Sequence, residues 1–312
     1  MPRRRVLTLL IAAAAGAGAL PAAAQAQAPQ PSLKIVTERV GGERATILAG
    51  TRFRVRVIVK PYVPGQQVNV TMHRRGRTIV SKVLTARKGR TAGQVLTGYR
   101  PRGPGQIEVR AVSGPVAAQA VLIKVLPRSV KAGSRGRSVR AMQDRLKAFG
   151  YVIGRYGHFD ARTARAVLAF RKVVGLSRTT AADETFFRAM AAGKGAFKVR
   201  HPNHGRHVEA DISRQVLALI GSGGKVERIY HTSTGAPGTP TILGTYRVYR
   251  KDYGTNAKGM VHSSYFIRGY AIHGYHSVPV FNASHGCLRV PIPDAYSIFR
   301  WLRMGTIVDT YP

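Results

Sequence analysis

The apolar residues of this chain change their spacing twice, which divides it into segments that must pack in different ways. From about residue 32 to 127 they alternate. Phe53, Val55 and Val57 interleave with Arg52, Arg54 and Arg56, Val68 and Val70 flank Asn69, and Ile107, Val109, Val121, Ile123 and Val125 continue the set. A period of two is that of half-buried strands. Turn residues at Pro61, Pro64-Gly65 and Pro104-Gly105 interrupt it at short intervals, as in a small antiparallel, immunoglobulin-like β-sandwich. Past a linker at 127–133 the period becomes helical. Val139, Met142, Leu146 and Phe149 share a face that Gly150 can close, and Asp160 is placed to cap a second helix carrying Thr163, Val167, Phe170 and Val174. A third helix over about 183–191 presents Phe186, Phe187 and Met190, so a small three-helix bundle is expected. A second linker, 193–205, is rich in Gly, Lys and Arg. Strand-like runs then return at 208–212, 216–220, 226–230, 245–249, 265–267 and 270–272, followed by a helix from Pro293-Asp294 and a closing strand at 307–309. The fold class is therefore multidomain, and its last part is mainly β.

That last part holds the one cysteine among 312 residues, in Ser284-His285-Gly286-Cys287-Leu288-Arg289. A single cysteine forms no internal disulfide. It is either an inert core residue or a nucleophile, and a nucleophilic thiol needs a base or electropositive surroundings to react near neutral pH. His285 lies two positions away and His273 fourteen. Gly286 allows a sharp turn and close approach of substrate, with backbone N–H groups able to stabilise an oxyanion. Zinc is the competing chemistry for His262, His273, His276, His285 and Cys287, but their spacing forms no compact pair of ligand turns.

The stretch IHGYHSVPVFNASHGCLRVP, residues 272–291, resembles the signature of the L,D-transpeptidase family with its YkuD-type catalytic domain, and HTSTGAPGTPTILGTYRV, residues 231–248, resembles an upstream segment of the same family. The likeness extends over about residues 205–312. Between His273 and Cys287 the chain is a few residues shorter than in many members and carries an additional His276. The segment from Gly136 to Leu176, with its Val-x-x-Met-Gln-x-x-Leu, Phe-Asp and Thr-x-x-Ala-Val-x-x-Phe pattern, is similar to the peptidoglycan-binding-domain-1 family over about 130–195. Domains are accordingly expected at 1–28 (signal peptide), 29–127 (sandwich), 128–196 (wall-binding helices) and 197–312 (catalytic). Gln143, Tyr151 and Asp160 could face a ligand or form turns and caps.

The family resemblance implies acyl transfer. Cys287 attacks the carbonyl before a terminal D-alanine of a tetrapeptide stem, a thioester forms, and an amine of a second stem resolves it into a cross-link. Water in place of the amine makes an L,D-carboxypeptidase. A non-catalytic basic wall-binding protein is the third reading. The implied catalytic residues are Cys287, His273 as general base, and His285 and Gly286 as backbone donors beside the Cys287 N–H; the His285 ring is the alternative base. Arg289, Ser284, Gly274 and Tyr265 are the substrate-binding candidates, Gly274 also offering a carbonyl to orient the imidazole. Ser233, Thr234, Tyr249 and Phe266 either shape the groove or belong to strand ends and core. No cofactor or metal is implied.

Composition bears on partners. Fifty Lys+Arg against 13 Asp+Glu give a formal charge of +37, spread along the chain, and a field of that size draws polyanions. No aromatic-basic or recognition-helix pattern points to nucleic acid. Peptidoglycan carboxylates and anionic wall polymers fit better, if the charge is more than a solubility feature. Arg3–Arg5, the apolar run Val6–Leu20 and the small residues 22–28 read as a secretory signal, which places the protein outside the cytoplasm in wall or periplasm. Membrane contact is expected only if that segment stays uncleaved.

Overall fold

A computed structural model of the chain describes residues 30–40, 45–128 and 130–312; the expected signal segment 1–28 lies outside them. Ten strands come first: β1 Ser32–Thr37, β2 Thr46–Leu48, β3 Phe53–Lys60, β4 Gln67–Arg74, β5 Arg77–Thr85, β6 Arg87–Lys88, β7 Gly93–Tyr99, β8 Gly105–Ser113, β9 Val116–Ala117 and β10 Val121–Leu126. They form two sheets, β1-β3-β7-β6 and β2-β10-β8-β4-β5, with β9 on β8. β3 shows why: Phe53, Val55, Val57 and Val59 are buried while Arg54 and Arg56 are exposed. The second sheet buries Val68, Val70, Ile107 and Val109 in the same apolar cluster.

Three helices follow, α1 Arg137–Ala148, α2 Ala161–Val173 and α3 Glu184–Ala191. Asp160 caps α2 by accepting the Thr163 N–H at 2.8 Å, and Asp183 caps α3 by accepting the Phe186 N–H at 2.9 Å. Tyr151, Phe170, Phe186 and Phe187 form an aromatic chain with ring centroids 4.9–5.7 Å apart. The three residues with an open reading are all engaged inside the module. Gln143 is fully buried, the Tyr151 hydroxyl donates to Gly195 O at 2.7 Å, and Asp160 is the cap.

The remaining elements are β11 His207–Asp211, β12 Val216–Ile220, β13 Val226–His231, β14 Gly244–Arg247, β15 Arg250–Thr255, β16 Val261–Ile267, β17 Tyr270–Tyr275, β18 Leu288–Pro291, α4 Ile292–Trp301 and β19 Ile307–Tyr311. They build one sheet in the order β13-β12-β11-β19-β14 and a second in the order β15-β16-β17-β18. β12 is buried along its whole length. Leu217 and Leu219 enter the core shared with α4, whereas Val216, Ala218 and Ile220 join the cluster that includes the helical module. A strand covered on both faces reads as a continuous apolar run rather than an alternating one. The run expected at 245–249 ends two residues earlier. β14 pairs with β19 only as far as Arg247, and the Tyr249 N–H already reaches Tyr265 O in the second sheet at 2.9 Å, so the chain changes sheets at Val248.

Candidate active site

β17 and β18 run parallel, with Ile272 opposite Leu288, His273 opposite Arg289 and Gly274 opposite Val290. Alternation then sorts their side chains. Ile272, Leu288 and Val290 enter the core under α4. Cys287, His273, Arg289 and Tyr275 point the other way and line a cavity of about 880 Å3, together with Tyr265, Tyr270, Ser284 and His285. The period of two thus separates a reactive face from a structural one.

The Cys287 sulfur is cradled by backbone. Its thiol donates to Gly269 O at 3.8 Å, and the Ala271 N–H points at it. Burial pushes the thiol above its usual range, while that N–H and the charges of Arg289 and Lys258 pull the other way without overcoming it. His273 is 3% exposed. Its Nδ1 lies 2.9 Å from Gly274 O, so Nδ1 carries the proton and Nε2 the free lone pair. Burial lowers the ring pKa to about 4, the Arg289 charge acting in the same direction. Activation of the sulfur as a resting thiolate is therefore not what this site provides. Sinking both groups in the protein penalises both charged forms, and at neutral pH a neutral thiol and a neutral imidazole share the wall. No hydrogen bond joins them among the described residues.

The Ser284–Cys287 turn is closed by its own serine. Ser284 Oγ donates to Cys287 O at 2.7 Å and accepts the Gly286 N–H at 3.1 Å. The Gly286 N–H is thereby directed into the turn rather than at the sulfur's surroundings. Gly286 has φ +106°, and a Cβ there would lie 2.0 Å from Tyr270 Cε1, so only glycine fits. The turn hangs on the 231–248 segment: Ala236 N–H donates to Ser284 O at 2.8 Å and Thr241 Oγ1 to Gly286 O at 2.9 Å. Ser233 and Thr234 serve the same support, Ser233 Oγ donating to Phe281 O at 2.6 Å.

The expected site residues are thus mostly, but not all, on one surface. His285 is exposed on the cavity wall. Gly274 faces away from it, its Cα so close to α4 that a Cβ would lie 2.6 Å from that of Ala295. Arg289 lies 4.3 Å over the Tyr275 ring and makes no ion pair among the described residues, which leaves its guanidinium open to an anion. Tyr265 is 5% exposed, with the Arg250 guanidinium 3.8 Å over its ring. Arg250, Lys258 and Arg268 also border the cavity; with cations spread along the whole chain, no local signal marked these three in the sequence.

The histidines considered for zinc do not converge. His262 lies among Tyr253, Tyr296 and Phe299, 4.8–5.6 Å between ring centroids, and its Nδ1 accepts the Gly254 N–H at 3.2 Å. Among the described residues, the metal-ligating types that cluster are His201, His204 and Asp309, on the segment before β11 and on β19. There His204 Nδ1 is already paired with Asp309 at 3.0 Å.

Residues 205–309 match the model of the L,D-transpeptidase catalytic domain, YkuD, and residues 135–190 match that of a putative peptidoglycan-binding domain. Comparison with curated proteins gives no match. Among solved structures, an L,D-transpeptidase from Xylanimonas cellulosilytica is 32% identical, with 60% of this chain and 98% of that one covered and a TM-score of 0.53. An L,D-transpeptidase from Stackebrandtia nassauensis is 19% identical over 59% of this chain and 95% of that one, with a TM-score of 0.38. One from Mycobacterium smegmatis is 12% identical over 90% and 99%, with a TM-score of 0.31. Only the first of the three is similar enough to bear on kinship. Because that match spans nearly the whole of a solved enzyme 32% identical to this chain, the chain belongs to the L,D-transpeptidase family, and the catalytic-domain model falls on the region that builds the Cys287 cavity.

Proposed function

We propose that the protein cross-links peptidoglycan stem peptides through a thioester on Cys287. The observation that carries this reading is the His273 Nδ1 contact to Gly274 O, which leaves Nε2 as the basic nitrogen of a ring that lines the same cavity as Cys287. As sulfur attacks the stem carbonyl before the terminal D-alanine, Nε2 takes the thiol proton; a neutral pair favours transfer during attack rather than before it. The oxyanion is met by backbone N–H groups at His285 and Cys287. Collapse breaks the peptide bond, and the departing amine leaves with the proton from His273. An amine of a second stem then attacks the thioester and gives its proton to Nε2, the C–S bond breaks, and Nε2 passes that proton to the departing sulfur. Arg289 receives a substrate carboxylate, a geometry suited to guanidinium, and Tyr265 and Ser284 complete the wall. Water as acceptor would give L,D-carboxypeptidase activity at the same site.

The family and the peptidoglycan-binding match support a cell-wall role. The domain limits 29–127, 128–196 and 197–312, an immunoglobulin-like spacer, export by residues 1–28 and adhesion of the cationic surface to anionic wall polymers complete the reading. No helix of the described residues is long and apolar enough to cross a membrane. Sacculi incubated with the protein and digested to muropeptides are expected to show new linkages between diamino acids, absent with Cys287→Ala. Retention on sacculi with an unchanged muropeptide profile would leave only the wall-binding role, and shortened stems without new linkages would make it a carboxypeptidase.

A further inference from the structure

Residues 276–283 join β17, which carries His273, to the Ser284–Cys287 turn, and two cations of the helical module bear on that loop. Arg178 Nη1 donates to Val280 O at 3.0 Å, and its Nη2 to Ser213 O at 2.6 Å. Lys172, on α2, is 3% exposed. Its Nζ faces three acceptors in the catalytic domain: Gln215 O at 3.0 Å, Thr232 O at 3.2 Å and His231 Nδ1 at 2.7 Å. The other nitrogen of His231, Nε2, lies 2.8 Å from Val278 O in the loop.

These contacts have a fixed polarity. Burial, reinforced by the Lys172 charge, holds the His231 pKa at about 3, so the ring carries one proton. Val278 O can only accept, so the ring's one proton sits on Nε2 and Nδ1 is left as an acceptor. Nζ then meets three acceptors and donates to each as an ammonium, a form that burial opposes by drawing its pKa down to about 6. Without Lys172 the ring is free to move its proton to Nδ1, and Nε2 would face the carbonyl lone pair to lone pair.

We propose that Lys172 and Arg178 are positioning residues, through which the wall-binding module holds the loop between the His273 strand and the Cys287 turn, Lys172 acting by way of His231. The docked helices are then part of the active-site scaffold rather than only a tether. This rests on reading Cys287 as the nucleophile.

The test uses the full chain with Arg178→Ala, His231→Leu and His231→Gln. Gln keeps an acceptor for Lys172 and a donor for Val278; Leu keeps neither. Two quantities are read: the rate of Cys287 alkylation by iodoacetamide, and kcat and KM for transfer between disaccharide-tetrapeptides. Arg178→Ala and His231→Leu are expected to lower kcat about 10-fold with little change in KM, because a misplacement of about 1 Å in the reacting groups has effects of this order or larger. Alkylation should shift with kcat, and His231→Gln should recover most of both. Folded Arg178→Ala and His231→Leu with unaltered kcat and alkylation, or a His231→Gln as impaired as His231→Leu, would overturn the proposal. If His231→Leu does not fold, the half-buried Arg178 decides the matter alone. If the unsubstituted chain transfers nothing, the proposed function fails, while the alkylation rates still report whether the loop is held.

Discussion

His273 Nδ1 lies 2.9 Å from the carbonyl oxygen of Gly274, its neighbour in the chain, and the proton held there decides what the rest of the ring can do. With Nδ1 donating, Nε2 is the base at any pH where the ring is neutral. Burial sets that limit at about 4. The acid limb of kcat/KM is therefore expected to fall through about pH 4, with a plateau across neutrality, and His273→Gln to lose about 10²–10⁴-fold in rate. Alkylation of Cys287 needs the thiolate and should keep rising past the ordinary thiol range, since burial pushes the thiol up. An alkylation shoulder near pH 6 would instead reveal a resting thiolate–imidazolium pair and contradict the neutral one.

Gly286 is expected to tolerate no side chain. Its φ of +106° and the 2.0 Å approach of a built Cβ to Tyr270 Cε1 act together. Gly286→Ala should abolish transfer and destabilise the chain by about 2–4 kcal/mol. The double variant with Tyr270→Ala removes the clash and leaves the backbone strain, so it should recover part of the stability. Full recovery in urea unfolding would show that φ contributes nothing.

Acid should loosen the fold earlier than carboxylates alone would. His273 and His231 have folded pKa values of about 4 and about 3, both drawn down chiefly by burial. The unfolded chain takes those protons first, near the ordinary value of about 6.5, so stability falls as pH drops from there through the two folded values. Glu209 adds a later loss. Burial pushes it up, but the His207 ring and the N–H groups of Arg200 and His201 hold it at about 2, so its contribution disappears as pH falls from its unfolded value toward 2. Urea midpoints measured from pH 7 to pH 3 should decline throughout, and His231→Gln should flatten the upper part of that decline. A midpoint constant down to pH 4.5 would contradict the histidine contribution.

The strands of this chain were legible where one face alone is buried, as in Phe53–Lys60, and where both are, as in Val216–Ile220. The Ser284–Arg289 turn announced itself through its lone cysteine. Lys172 did not. It follows Phe170 on a helix whose apolar face was clear, and a lysine beside such a face normally reaches water. It is buried because acceptors at 215, 231 and 232 converge on its Nζ, and convergence of residues remote in sequence has no period to read. The same holds for Asp294, whose partners lie more than 120 positions upstream, and for the turn-closing bonds of Ser284, which no spacing distinguishes from a serine that meets substrate.

Gln143 was open to two readings, and its contacts predict which will be measured. Its Nε2 lies 2.9–3.0 Å from Arg155 O, His158 O and Thr163 Oγ1, two N–H bonds shared among three acceptors, and its Oε1 accepts the Gly157 N–H at 2.6 Å. Gln143→Leu leaves the Gly157 N–H without its partner and takes one bond each from Arg155 O, His158 O and Thr163 Oγ1, at a cost of about 2–3 kcal/mol. Retention on sacculi should then decline only in step with unfolding. Loss of retention by a fully folded variant would restore the ligand-facing role.

Asp294 joins the two modules from the first turn of α4. Its side chain is 4% exposed and meets Arg162 at 2.7 Å and Arg165 at 3.3 Å, both on α2, whose side chains are 35% and 22% exposed. A carboxylate there also faces the positive end of α4. Asp294→Asn keeps the shape and removes the charge, leaving two cations near a helix N-terminus. Breaking a fully buried pair costs about 3–5 kcal/mol; water around the guanidiniums reduces this to about 2 kcal/mol. Because the attraction is electrostatic and partly solvated, the deficit measured by urea unfolding should shrink as NaCl is raised. Loosening α2 should also weaken the hold of Lys172 and Arg178 on the 276–283 loop, so kcat is expected to fall together with stability at low salt and to recover with it at high salt. An Asp294→Asn chain as stable as the original at low salt would mean that apolar packing of α2 on β12 and β13 holds the modules together without this pair.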